Sequence, residues 1–170
     1  MPRAISSSFR RELEEPRSEE FVVVLLTISD TTLRTPIRVA NDTVSYIYNG
    51  DTYVGFPFEV ELVDDSIRIP TGRIRIQNVD RQIGEAILNL TDSPILTITV
   101  LASADFGALS NGVRAPLGTP TVEYEAINLI FNNISVNAME VTGELGSFDM
   151  TNEPWPAIRS TADRLPGLDP

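Results

Sequence analysis

The sequence predicts a mainly β protein: an antiparallel β-sandwich or barrel with one flanking α-helix, a short N-terminal helix and an extended C-terminal arm. Three observations predict it. Runs rich in β-branched residues recur along the chain, clusters of Asn, Asp, Gly and Pro punctuate them, and helical spacing is confined to two short stretches. At 170 residues the chain has the length of one ordinary domain. Residues 1–148 read as that domain and residues 149–170 as the arm.

Taken in order, residues 6–15 form a short helix started by serines and stopped by Pro16, with Phe9 and Leu13 on one face. Residues 21–29 are apolar on both faces, as in a strand covered on two sides. Residues 35–39 alternate less cleanly, and Asn41-Asp42 followed by Thr43 marks a turn. Tyr46, Tyr48 and Tyr53 flank Asn49-Gly50, the strongest hairpin signal present, so a tight hairpin is expected there. Next, Phe58, Val60 and Leu62 alternate with Glu59 and Glu61, and Ile74 and Ile76 alternate with Arg73 and Arg75. Antiparallel pairing that sets Glu61 opposite Arg73 also sets Glu59 opposite Arg75, giving an ion-pair ladder on one face and an apolar wall on the other.

Asp80 then caps a helix over residues 81–89 that carries Ile83, Ile87 and Leu90 on one stripe and ends before Thr91-Asp92-Ser93-Pro94. Strand patterns resume at 95–102. After a loop holding Asn111, Gly112, Pro116 and Pro120, they continue at 122–131, 134–139 and 140–145. In the arm, Trp155 stands between Pro154 and Pro156, and Leu165, Pro166 and Leu168 follow. The prolines forbid a helix or central strand, yet the large apolar groups are unlike a disordered tail. Proline has already fixed part of the backbone, so Trp155 loses little freedom on docking and suits an anchor on a neighbouring subunit. Folding back over its own domain is the alternative.

Composition limits the chemistry. The chain has no Cys and no His, and every basic side chain is Arg, so thiolate, imidazole and lysine chemistry have no bearer, and no cofactor or metal is expected. Asp64-Asp65 and Asp149 lack the spacing of a calcium loop. A carboxylate-pair hydrolase is the one catalytic reading left, and no enzyme is expected. A net charge of −11 opposes gripping nucleic acid, but an acidic wall suits a channel through which DNA slides without sticking. The longest apolar run, residues 21–26, is too short to cross a bilayer, and no signal peptide is visible. The sequons at Asn41, Asn89 and Asn133 read as chance.

Several motifs together carry a resemblance: Asn41-Asp42, Tyr53 with residues 56–62 (FPFEVEL), residues 73–81 (RIRIQNVDR), residues 152–156 (NEPWP) and residues 165–167 (LPG). In that order, along nearly the whole chain, they resemble a domain-of-unknown-function family encoded in the tail modules of long-tailed phages and prophages, whose members are called minor tail proteins. The resemblance implies a fold of tail-tube type and a structural part in the tail tip or baseplate, similar to a distal tail protein. It implies a ring of this chain, six copies being expected, that joins the tube protein to hub and baseplate proteins and lets DNA pass without specific binding. The site would be the virion tail tip, assembled in the host cytoplasm. In such a ring the ladder of Glu59, Glu61, Arg73 and Arg75 would line the lumen. The loops 64–72 and 104–120 and the arm, through Trp155 and Leu165, would clamp neighbours. Alternatives are a threefold hub component, or a carbohydrate-binding β-sandwich for host attachment using Tyr46, Tyr48 and Tyr53 as its platform.

Overall fold

A computed structural model describes residues 6–15, 20–61, 72–77, 82–88, 90 and 92–146. The arm residues Pro154, Trp155, Pro156, Leu165, Pro166 and Leu168 lie outside this set, as do Asp80 and the loop 64–71.

The expected N-terminal helix is α1, Ser7–Glu14. Ser6 caps it, its Oγ accepting the Phe9 N–H at 3.2 Å. The second helix, α2, spans Gln82–Leu88. The strands are β1 Val22–Ser29, β2 Ile37–Ala40, β3 Ser45–Tyr48, β4 Asp51–Gly55, β5 Phe58–Glu61, β6 Gly72–Gln77, β7 Ile95–Ala102, β8 Val113–Arg114, β9 Val122–Val136 and β10 Glu140–Gly146. They form one 10-stranded sheet in the order β5-β6-β10-β9-β7-β1-β2-β4-β3-β8. Among the described residues, seven pairings are antiparallel. Two, β2 with β4 and β3 with β8, are parallel. The sheet is therefore mixed, and its ladder does not close on itself.

Residues 122–136, expected as two strands, are a single long one. Its first half pairs with β7 and its second with β10, so two wings of the sheet share β9. On β9 the register slips three times by one extra residue: at Glu123, between Val122 and Tyr124; at Asn128, between Ala126 and Leu129; and at Asn133, between Asn132 and Ser135. Asn128 and Asn133 sit at φ +57° and +51°, a region Asn tolerates better than most residues. Such bulges bend a strand and raise its twist.

The bend lets the wings share one core. Leu26, Ile28, Val39, Leu96 and Ile98 from the β7-β1-β2 side join Phe58, Ile74, Ile76, Val141 and Leu145 from the β10-β6-β5 side, with Phe131 of β9 and Ile87 of α2 completing the cluster. Only Phe56 and Pro57 separate β4 from β5, although these strands lie on different wings. The Phe56 N–H bonds Ala40 O at 2.8 Å and the Phe58 N–H bonds Asn41 Oδ1 at 3.0 Å, so the chain turns a corner at the end of β2. Strands that change partners at such a bend are how folded sheets make corners.

As its two-sided apolar pattern predicts, β1 is covered on both faces: Leu26 and Ile28 enter the first core while Val23 and Leu25 enter a second. The cover on this second side is the β3–β4 hairpin and the segment after β7, which contribute Tyr46, Tyr53 and Phe106. Asn49-Gly50 forms the expected two-residue turn, both residues at positive φ. A second such turn, Asn111-Gly112, lies in what reads as an irregular loop; Ser110 and Val113 exchange both backbone bonds around it at 3.0 Å.

Gly143 lies against the Phe131 ring of the first core, where an added Cβ would lie 2.1 Å from Phe131 Cε2. Gly143→Ala should therefore destabilise the fold by about 1–3 kcal/mol in denaturant unfolding, through overpacking. Adding Phe131→Leu should recover part of that loss; equal stability of wild type and the Gly143 variant would contradict this packing.

Candidate functional site

The apolar side of β5, β6 and β10 is buried, so period-two alternation sends the intervening polar residues to the outer face. Glu61 stands opposite Arg73 and Glu59 opposite Arg75, the register that the alternation predicts. The structure adds a third row from β10, with Glu144 opposite Arg73 and Thr142 opposite Arg75. Arg75 lies 3.8 Å from Glu59 and 3.3 Å from Glu140. Asn133, at its bulge, donates to Glu144 at 2.7 Å. Each arginine thus has carboxylate-bearing strands on both sides. Sequence reasoning missed Glu140 and Glu144, although their spacing across Thr142 is the same alternation.

These groups are exposed, and exposed pairs contribute little to stability. Their physical effect is to fix register and to place Arg73 and Arg75 among a larger number of carboxylates.

Next to the ladder, the β4–β5 corner opens into a groove of ≈ 830 Å³ whose lining includes Pro57, Glu59, Arg75 and Met139. At the opposite end of the outer face, residues 103–121 form an ordered lobe. Phe106 is buried against Tyr46 with ring centroids 4.9 Å apart, the Leu117 N–H bonds Asp105 O at 2.9 Å and the Thr121 N–H bonds Asp105 Oδ2 at 2.8 Å. Leu117 nevertheless remains 75% exposed.

The tyrosines do not form the exposed platform that the carbohydrate reading requires. Tyr46 is fully buried and donates to Asp42, while Tyr53 is buried with its hydroxyl 3.0 Å from Thr27 Oγ1. They face the second core because β3 and β4 fold over β1. Burial, reinforced by the hydrogen bond to Asp42, raises the Tyr46 phenol well above its ordinary value near 10.

Sequence reasoning also missed Glu123, a buried carboxylate on the first bulge of β9. It accepts from the Ser6 N–H at 2.8 Å and from Ser6 Oγ at 2.6 Å, fastening the start of α1 to the sheet. A carboxylate at a helix N-terminus also meets the positive end of the helix dipole. No alternation pattern marks it, because the bulge reverses which residues face inward.

Among the described residues no cluster of three or more acidic, His or Cys side chains is arranged to hold a metal, and no helix is long and apolar enough to cross a membrane.

Two outcomes follow from this geometry. Arg75→Ala should lower stability by no more than about 1 kcal/mol, since it removes only exposed pairs; a loss of several kcal/mol would mean that the ladder carries the fold. A raised Tyr46 pKa adds stability that is complete below pH 10 and is lost as pH climbs past it, because only the unfolded phenol ionises there. Unfolding followed between pH 8 and 11 should show this decline, and Tyr46→Phe should flatten it.

The profile of the family described as "Domain of unknown function (DUF1833)" matches residues 8–160. Among solved structures the chain is similar to one from "Virion of native gene transfer agent (GTA) particle", with a TM-score of 0.55 and 14% identity over 92% of this chain and 48% of that one. It therefore spans about half of that virion chain, and at this identity the likeness is one of fold. No curated protein sequence matches it. With the family profile running from the first turn of α1 past the last strand, the chain belongs to the DUF1833 family.

Proposed function

We propose that this chain is a structural, non-enzymatic ring component of a phage-like tail tip, joining the tail tube to the hub or baseplate around the DNA channel. The observation that carries the reading is the likeness of 92% of the chain to part of a virion chain of a gene transfer agent particle. Membership of DUF1833 is consistent with the phage-tail resemblance of its motifs. In this reading the two wings form a sandwich of tail-tube type, six copies close the ring, and the protein resides in the virion after assembly in the host cytoplasm.

The outer face of β5, β6 and β10 then lines the lumen. A DNA duplex passing such a wall meets Arg73 and Arg75 between carboxylates, on a chain of net charge −11, and finds no cluster of free cations to hold its phosphates. The lobe 103–121 and the arm, through Trp155, Leu165 and Leu168, contact neighbouring subunits. Residues 1–148 act as the tube-like domain and 149–170 as the clamp. A threefold hub position is the competing geometry; the burial of Tyr46 and Tyr53 leaves the carbohydrate reading without its platform.

The test is stoichiometry with a truncation. Quantitative mass spectrometry of purified particles should find six copies of this chain, and a chain ending at Asp149 should fail to enter the particle. Three copies would support the hub position, and absence of the full-length chain from particles would overturn the proposal.

A further inference from the structure

We infer that residues 147–151 continue β10 as an added edge strand along β9, with Phe148 and Met150 covering an apolar patch formed by Ile95, Ile127 and Ile130. A single chain makes this contact, so it stands apart from the ring reading above. The ladder between β10 and β9 ends at the pair of Gly146 with Ile130. Beyond that pair β9 runs on, and its residues 125–129 have β7 on one side and no described strand on the other. Unpaired N–H and C=O groups along such an edge are a template for one more strand.

The outer side of this stretch is apolar and bare. Ala126 and Leu129 pack against the first core, and the bulge at Asn128 leaves Ile127 between them turned outward and 59% exposed. Ile130 stands opposite Ile95. Leu96 points into the first core, so alternation puts Ile95 on the outer side as well, where it is 44% exposed. None of the three isoleucines is part of the second core beneath the β3–β4 hairpin.

Direction and alternation select the occupant. β10 runs antiparallel to β9, Val141 facing Val136 and Gly146 facing Ile130, so each residue after Gly146 meets a lower-numbered residue of β9. One further step sets Ser147 opposite Leu129, and the next brings Phe148 to the bulge beside Ile127. The chain needs no reversal and no spacer to follow the edge, and a covalently joined segment is present there at high effective concentration. The faces agree. Val141 and Leu145 point into the first core, so the even-numbered positions of β10 face outward, and continued alternation sends Phe148 and Met150 to the side of the isoleucines and Ser147, Asp149 and Thr151 to the other. Residues 147–153 contain no proline, and Pro154 is the first position unable to donate to a ladder. Trp155 then follows at the end of an ordered strand, which fixes the root of the proposed clamp.

Amide hydrogen exchange of the full-length chain tests this. The expected result is exchange in both 125–129 and 147–151 at least about tenfold slower than in an unstructured peptide, and equally slow at high and low protein concentration. Successive N–H groups along a strand point to opposite sides, so at least one of Asp149→Pro and Met150→Pro must remove a bond to β9. That variant should return both segments toward free exchange while β1 stays slow. Fast exchange of 147–151 in the unaltered chain, or slow exchange indifferent to both prolines, overturns the added strand. Slow exchange that is lost on dilution assigns the edge to a neighbouring copy and overturns the contact within one chain.

Discussion

A single strand serves two wings of the sheet, and the way that strand bends decides everything packed against it. β9 pairs with β7 over its first half and with β10 over its second, and each of its three register slips inserts one extra residue on β9 alone. The bends bring residues of both wings into one apolar cluster, and Gly143 leaves room for the Phe131 ring within it. Given that bend, two residues suffice to carry the chain from β4 on one wing to β5 on the other. A straight β9 would leave that link too short, since two intervening residues span only about 10 Å.

Folding the wings together fixes the fate of the outer face. Where β1 is apolar on its second side, the β3–β4 hairpin and the 103–121 lobe cover it, and the tyrosines go inside. Where β5, β6 and β10 alternate apolar with charged residues, nothing in the described chain covers the outer side. What remains bare is a ladder in which four carboxylates, Glu59, Glu61, Glu140 and Glu144, flank Arg73 and Arg75. Its neighbour is a groove at the corner where the ladder stays open.

Much of this was legible in the sequence where local chemistry decides the outcome. Asn49-Gly50 demands a tight hairpin, the Glu59/Glu61 and Arg73/Arg75 alternation selects one register, and the doubly apolar β1 announces cover on both sides. Features that depend on distant partners were not. Asn128 and Asn133 look like ordinary polar residues until their strand must serve two neighbours. Asn111-Gly112 carries the same signal as Asn49-Gly50 but lies between strands of only two residues or fewer, so no alternation flags it. Tyr46 and Tyr53 read as a surface cluster because the face they cover belongs to β1, some twenty residues earlier. Glu123 is inward only because a bulge turns it, and no local pattern encodes the parallel pairing of β2 with β4.

The central claim is that the bare charged face of the smaller wing looks onto a channel shared by several copies. A cryo-electron microscopy map of the intact particle, detailed enough to trace β5, β6 and β10, tests it most directly. The account predicts Glu59, Glu61, Arg73 and Arg75 turned toward the axis, with the core containing Phe131 behind them. A map in which those side chains point outward, or in which this chain stands as a single copy away from the channel, would contradict it.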